Sequence, residues 1–155
     1  MNGIKWLIVC LALITSVSCK KDTVDEAEQL QKDIAIIQQY LADNGLTAES
    51  TSKGLHYIIN SPGTGPQPTA SSNVRVAYVG YYTNGSTFDQ SPSAGVTFNL
   101  QNVIQGWTEG IPKFRQGGSG MLLIPSKLAY GPKGSQSIPP NTVILFDIEL
   151  LQVTN

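Results

Sequence analysis

Eight aromatic and aliphatic residues stand beside turns in this 155-residue chain: Tyr78, Phe88, Val103, Ile104, Trp107, Tyr130, Ile138 and Phe146. Each alone is the kind of residue a core packs. Gathered at loop ends, the set could line an apolar recess whose chemistry is binding and desolvation rather than proton transfer. Acid–base and metal machinery has little support. His56 is the only histidine, and it sits mid-strand between Leu55 and Tyr57, where a packing role fits it better than a catalytic one. No CxxC, HExxH or carboxylate-rich loop occurs, and no glycine-rich phosphate loop leads a strand into a helix. No metal or other cofactor is expected. Ten Lys and Arg against eleven Asp and Glu leave a formal charge of −1, with no basic cluster larger than Lys20-Lys21. That balance argues against a nucleic-acid surface.

The elements that must carry these residues follow from periodicity. With 41% hydrophobic residues, the chain is long enough for one compact domain with a real core plus terminal extras. Leu30, Ile34, Ile37 and Leu41 recur at helical spacing, and Asp43-Asn44-Gly45 supplies a stop, which predicts a helix over about residues 22–43. Its narrow stripe suits a helix lying on its own domain, or a face pairing with a second copy in a homodimer. From Leu46 onward the period changes to two. Strands are expected at GLHYII, at Val74–Tyr82 with Val74, Val76, Tyr78 and Gly80 on one face, and at Val96–Leu100. Asn84-Gly85 signals a hairpin returning through Thr87-Phe88-Asp89. One short helix is expected over about Trp107–Phe114, its start placing Trp107 as a floor for the concave face, with Pro112 tolerable only in a first turn. MLLIP, a helical turn at SKLA and the long strand TVILFDIELLQV complete four to six antiparallel strands around one short helix, a small α+β domain. In that last strand Ile144, Phe146, Ile148 and Leu150 share the core face.

Three runs carry more than periodicity: VAYVGYYTNGSTFD, VIQGWTEGI and LAYGPKGSQSIPPNTVILFDIELL. Over residues 74–153 they resemble the FKBP-type peptidyl-prolyl cis-trans isomerases, with the Gly-Trp pair, the AYG turn, the IPPN corner and the FDIELL strand in the family's order. The resemblance implies an FKBP-like antiparallel half-barrel sheet wrapped around one short helix, and isomerisation of Xaa-Pro peptide bonds that assists the folding of exported proteins. Proline-containing polypeptides would be the clients. Matched motif to motif, Trp107 would be the pocket floor, Tyr78, Phe88 and Phe146 its walls, and Val103 and Ile104 its rim, with the Ile104 N–H binding a substrate carbonyl. Tyr130 would offer its hydroxyl to the amide oxygen, Ile138 would cap the loop, and Asp89 would be the acidic residue at the pocket edge. Tyr78, Asp89, Tyr130 and Phe146 are thus the catalytic set expected. The chain departs from the family in three places. QSPSAG after Asp89 offers no Arg partner, Val96 stands where an aromatic wall is common, and the loop from Leu100 to Val103 looks short. A fold-retaining module that binds proline-bearing chains without turnover is the alternative.

The first eighteen residues carry Lys5, an apolar run from Trp6 to Ile14 and small residues, the pattern of a signal peptide too short to span a membrane. Ser16-Val17-Ser18 ends on Cys19 and resembles a bacterial lipobox, although Ser16 replaces the usual bulky aliphatic residue. Export, acylation of Cys19 and a lipid anchor in the cell envelope, at the outer membrane or the periplasmic face, are the expectations. Residues 19–45 would then be tether and helix, and 46–155 the isomerase domain. Cys10 leaves with such a leader, so no internal disulfide is available and packing must hold the domain.

Overall fold

The computed structural model of the protein describes residues 21–154; the leader and Cys19 lie outside them. Helix α1 (Lys21–Asp43) comes first, followed by β1 (Glu49–Ser50), β2 (His56–Ser61), β3 (Asn73–Tyr81), β4 (Thr87–Gln90) and β5 (Val96–Asn99). Helix α2 (Gln105–Gly110) leads into a 3-10 turn (Ile111–Lys113), and β6 (Ser119–Ile124), two further 3-10 turns (Ser126–Leu128 and Gly131–Lys133) and β7 (Ile144–Thr154) complete the chain.

All seven strands form one antiparallel sheet in the order β1-β2-β6-β7-β3-β4, with β5 also on β3. One edge of β3 is shared: Asn73–Val76 pair with β5 and Val79–Tyr81 with β4, while the other edge pairs with β7 along its length. The hairpin signal at Asn84-Gly85 forms its turn, with the Asn84 side chain accepting from Ser86 N–H at 2.9 Å. Strand β1, two residues long and exposed on both, has no periodicity to announce it.

Period two sorts β3 and β7 as expected. Val74, Val76 and Gly80 of β3, and Ile144, Phe146, Ile148 and Leu150 of β7, are buried on the inner face against α2. The expected helix at Trp107–Phe114 begins two residues earlier and divides. Pro112 cannot donate to an α-helical ladder, and it sits instead in the first turn of the Ile111–Lys113 3-10 segment.

The outer face is also covered. Leu122, Leu123 and Ile124 are all buried, as are Ile144, Leu145 and Phe146, so at one end both parities of β6 and β7 are shielded. The cover is α1: Ile37 (0% exposed) and Leu41 (8%) pack with Leu123, Val143 and Leu145, flanked by Tyr40, Ile58, Tyr81 and Met121. Two residues of the apolar stripe of this helix, Ile37 and Leu41, thus lie on its own domain, while Leu30 and Ile34 are half-buried. The domain therefore has three layers, with α2 inside, the sheet between and α1 outside. No described helix is long and apolar enough to cross a membrane.

Candidate active site

The site is built on one indole. Gly106 lets α2 approach β6 so closely that a β-carbon there would stand 2.5 Å from Ile124 Cγ2, and the next residue, Trp107, is thereby pressed into the concave face of the sheet. Trp107 is 4% exposed, and its indole N–H is buried without an acceptor among the described residues. Three rings stand edge-on to it: Tyr78 at 5.1 Å and 85°, Phe98 at 5.2 Å and 83°, and Phe146 at 5.2 Å and 79°. Perpendicular rings around a flat one make a box, and edge-to-face pairs of this kind contribute about 0.5–1.5 kcal/mol each beyond burial. The recess has a volume of about 400 Å³ and is lined by Tyr78, Asp89, Phe98, Asn102, Val103, Ile104, Trp107, Tyr130 and Phe146.

Seven of the nine expected site residues thus meet around one cavity. Phe88 and Ile138 do not line it. Phe88 stands behind Phe146 at 5.6 Å and 88° and beside Tyr82, so it braces a wall rather than forming one. Ile138 is 2% exposed and belongs to the core that holds the 130–141 loop down. The expectation that β5 lacks an aromatic wall is corrected: Val96 is exposed, and Phe98 supplies the ring. Alternation puts Val96, Phe98 and Leu100 on one face of β5, and along that face it is Phe98 that stands against the Trp107 indole. Asn102 was also missed, and nothing in its sequence context marks a loop carboxamide as lining.

Polar groups are few and sit at the rim. Tyr78 Oη–H donates to Asp89 Oδ2 at 2.8 Å. Burial first, and then the Asp89 hydrogen bond and charge, push the Tyr78 hydroxyl up to about 12. Burial and the Asp89 carboxylate likewise raise Tyr130. Both phenols therefore stay protonated donors at any ordinary pH. Ile104 is the N-cap of α2, and its carbonyl accepts from Trp107 and Thr108 N–H. Its own N–H is one of those a helix start leaves outside the intrahelical ladder. His56 is buried far from this chemistry in sequence terms, its Nδ1–H donating to the Gly54 carbonyl at 2.9 Å, and is a satisfied strand residue.

Two other concavities are larger but chemically different. One of about 490 Å³ runs over the outer sheet face by Val79, Asp147 and Glu149, and one of about 750 Å³ lies between α1 and the loop at Lys127 and Pro132. Neither is ringed by aromatics, so chemistry rather than volume selects the smaller recess.

A family model described as FKBP-type peptidyl-prolyl cis-trans isomerase matches residues 65–151, which spans every residue of this cavity. The chain belongs to that family. Among similar proteins, the FKBP-type peptidyl-prolyl cis-trans isomerase FkpA of Aeromonas hydrophila is 40% identical over 144 residues, covering 90% of this chain and 51% of that protein. FkpA of Escherichia coli strain K12 is 38% identical over 144 residues, covering 92% and 53%. The chain spans about half the length of these curated relatives. Among solved structures, a peptidyl-prolyl cis-trans isomerase of Pseudomonas syringae pv. tomato matches with TM-score 0.72 at 35% identity, over 83% of this chain and 96% of that one. The crystal structure of FkpA from Escherichia coli matches with TM-score 0.73 at 36% identity, over 85% and 62%. The FKBP architecture of an antiparallel sheet curved over a short helix is thus shared along most of the described chain.

Proposed function

We propose that this chain catalyses cis–trans isomerisation of Xaa-Pro bonds in polypeptides and so assists the folding of exported proteins. The observation that carries the reading is the box of Tyr78, Phe98 and Phe146 standing on the Trp107 indole, with hydroxyl donors only at its rim. Rotation of an X-Pro bond breaks amide resonance against a barrier of ~18–20 kcal/mol. The twisted amide is less polar than the planar one, so a dry aromatic recess favours the transition state over the ground state. Phe146, Trp107 and Phe98 take the prolyl ring. The Ile104 N–H and the Tyr130 hydroxyl hold carbonyl oxygens while the bond turns, Val103 shapes the rim, and the Tyr78–Asp89 pair fixes the wall and its charge. No bond is made or broken, which fits a site without a nucleophile.

The wider setting belongs to the same reading. Residues 46–155 are the isomerase unit, residues 1–18 direct export, and acylated Cys19 anchors the protein in the bacterial envelope, where proline-bearing clients are folding. The lipobox-like Ser-Val-Ser-Cys and the apolar run before it support this. Pairing of two copies through α1 would use the half-buried Leu30 and Ile34 with the exposed Ile36, because the sheet already covers Ile37 and Leu41.

The test is protease-free fluorescence relaxation of a short Xaa-Pro peptide with residues 20–155, beside Phe146→Ala. The wild-type chain should accelerate relaxation and the variant should lose most of that acceleration. A well-folded wild-type chain without acceleration overturns the reading, and peptide affinity without turnover would point to a binding module.

A further inference from the structure

Helix α1 is joined to the segment that leads to Tyr130 through one buried contact. Asp33 is 0% exposed and faces Ser126, ninety-three residues along the chain. Its Oδ2 accepts both the Ser126 N–H at 2.8 Å and the Ser126 Oγ–H at 2.6 Å, while Oδ1 accepts from Gln29 Nε2 at 2.8 Å. A carboxylate this deep in a fold is tolerated only when such donors hold it, and the geometry they impose is correspondingly strict. The ion pair of Lys127 Nζ with Glu26 at 2.8 Å adds a second, exposed strap beside it.

What Asp33 grips is the start of the segment that presents Tyr130. Ser126 opens the 3-10 turn Ser126–Leu128; its carbonyl accepts from Ala129 N–H at 3.0 Å, and Tyr130 follows directly. Beyond Tyr130 the segment is fastened again, Gly131 accepting from Asn141 N–H at 2.9 Å and the Ser137 carbonyl accepting from Tyr82 Oη. Tyr130 itself is 39% exposed at the cavity, so its place there depends on where its backbone is held.

We propose that Asp33 is a positioning residue for Tyr130, so that α1 is a working part of the isomerase site and not only a tether. The proposal rests on the reading of Tyr130 as a substrate donor, and it assigns α1 the task of fixing the near end of the Tyr130 segment. Removing the carboxylate frees the Ser126 turn and lets the hydroxyl drift from the substrate carbonyl.

The test is a double-mutant cycle in the chain from residue 20, with kcat/KM on an Xaa-Pro peptide and the backbone amide resonance of Tyr130 as readouts. Asp33→Ala should lower kcat/KM by about tenfold when Tyr130 is present and by less than about twofold in a Tyr130→Phe background. Asp33→Asn, which keeps an acceptor oxygen for Ser126, should restore most of the loss. Ile37→Ala removes α1 packing without touching Ser126; it should lower the melting temperature yet leave kcat/KM and the Tyr130 resonance in place. Equal losses with and without the Tyr130 hydroxyl, or no loss in Asp33→Ala, would overturn the proposal. Should wild type not accelerate relaxation, the catalytic reading fails, and the resonance still decides positioning: a Tyr130 amide unmoved by Asp33→Ala rejects it.

Discussion

At the scale of residues, two titrating groups give opposite lessons about pH. The Tyr78 hydroxyl is raised to about 12 by burial and by Asp89, so the folded chain keeps a proton that an unfolded chain begins to lose near its ordinary value of about 10. Its contribution is whole below that value and disappears as pH rises through the window between the two. The chain should therefore lose stability in alkali, and Tyr78→Phe should flatten that loss; urea midpoints at pH 9 and pH 11, taken as about those values, check it. If the proposed site relies on neutral phenols, the proposed isomerase activity should be flat across about pH 6–9. Asp147, on the outer face, is raised chiefly by burial, and the Tyr81 hydroxyl bonded to it at 3.1 Å only partly opposes this. A raised carboxyl favours the fold when protonated and weighs against it once ionised, so its cost is present at neutral pH and absent at about pH 3. Asp147→Asn keeps an acceptor for Tyr81. It should raise the melting temperature at neutral pH and leave it unchanged in acid, and a fall at neutral pH would show that the charge is useful.

At the scale of elements, each helix meets the sheet by a different device. Helix α2 does so through missing side chains, Gly106 against Ile124 and Gly110 against Leu122, where added β-carbons would approach to 2.5 Å and 2.7 Å. Helix α1 does so through Ile37 and Leu41, with Ile36 left 43% exposed beside them. Ile37→Ala should thus cost about 2–4 kcal/mol of unfolding free energy, while Ile36→Ala should change it by less than about 0.5 kcal/mol. Urea denaturation followed by Trp107 fluorescence separates the two. The position of α1 was half legible: its spacing told a helix with one apolar stripe, but not which surface would receive it. The receiving surface had left a trace in Leu122-Leu123-Ile124 and Ile144-Leu145-Phe146, where alternation gives way to continuous apolar runs, the mark of strands covered on both sides. The aromatic floor and most of its walls were legible because Gly-Trp, Tyr-Gly and Phe-Asp stand in fixed order. Phe98 was not, because Val96, Phe98 and Leu100 share one face of β5, and alternation does not tell which of them stands over Trp107. Phe88 and Ile138 show the converse, since sequence tells that a side chain is near a cavity but not whether it faces the space or stands behind the residue that does.

For the whole molecule, the three layers decide what a shortened chain can do. The inner face is filled by α2 and the ring box, while the outer face depends on α1, whose loss would bare Leu123, Val143 and Leu145 with Ile58, Met121 and Tyr81 around them. Those residues form one contiguous cluster, and exposed apolar patches of this sort drive association in soluble domains. A chain beginning at residue 46 keeps every side chain of the 400 Å³ cavity. It should nevertheless unfold at lower urea, bind more of an apolar dye and sediment as mixed species at concentrations where residues 20–155 remain a single species. Its melting transition should also broaden, because the β6–β7 end would lose one of its two covers while the β3–β5 end keeps its packing. Equal midpoints and a single sedimenting species for both chains would mean that α1 docks too weakly to matter for the fold. Burial of Ile37 at 0% exposure and the two Ser126 donors on Asp33 argue for the first outcome, since a helix seated only by its tether would have no reason to carry a buried carboxylate into the sheet domain.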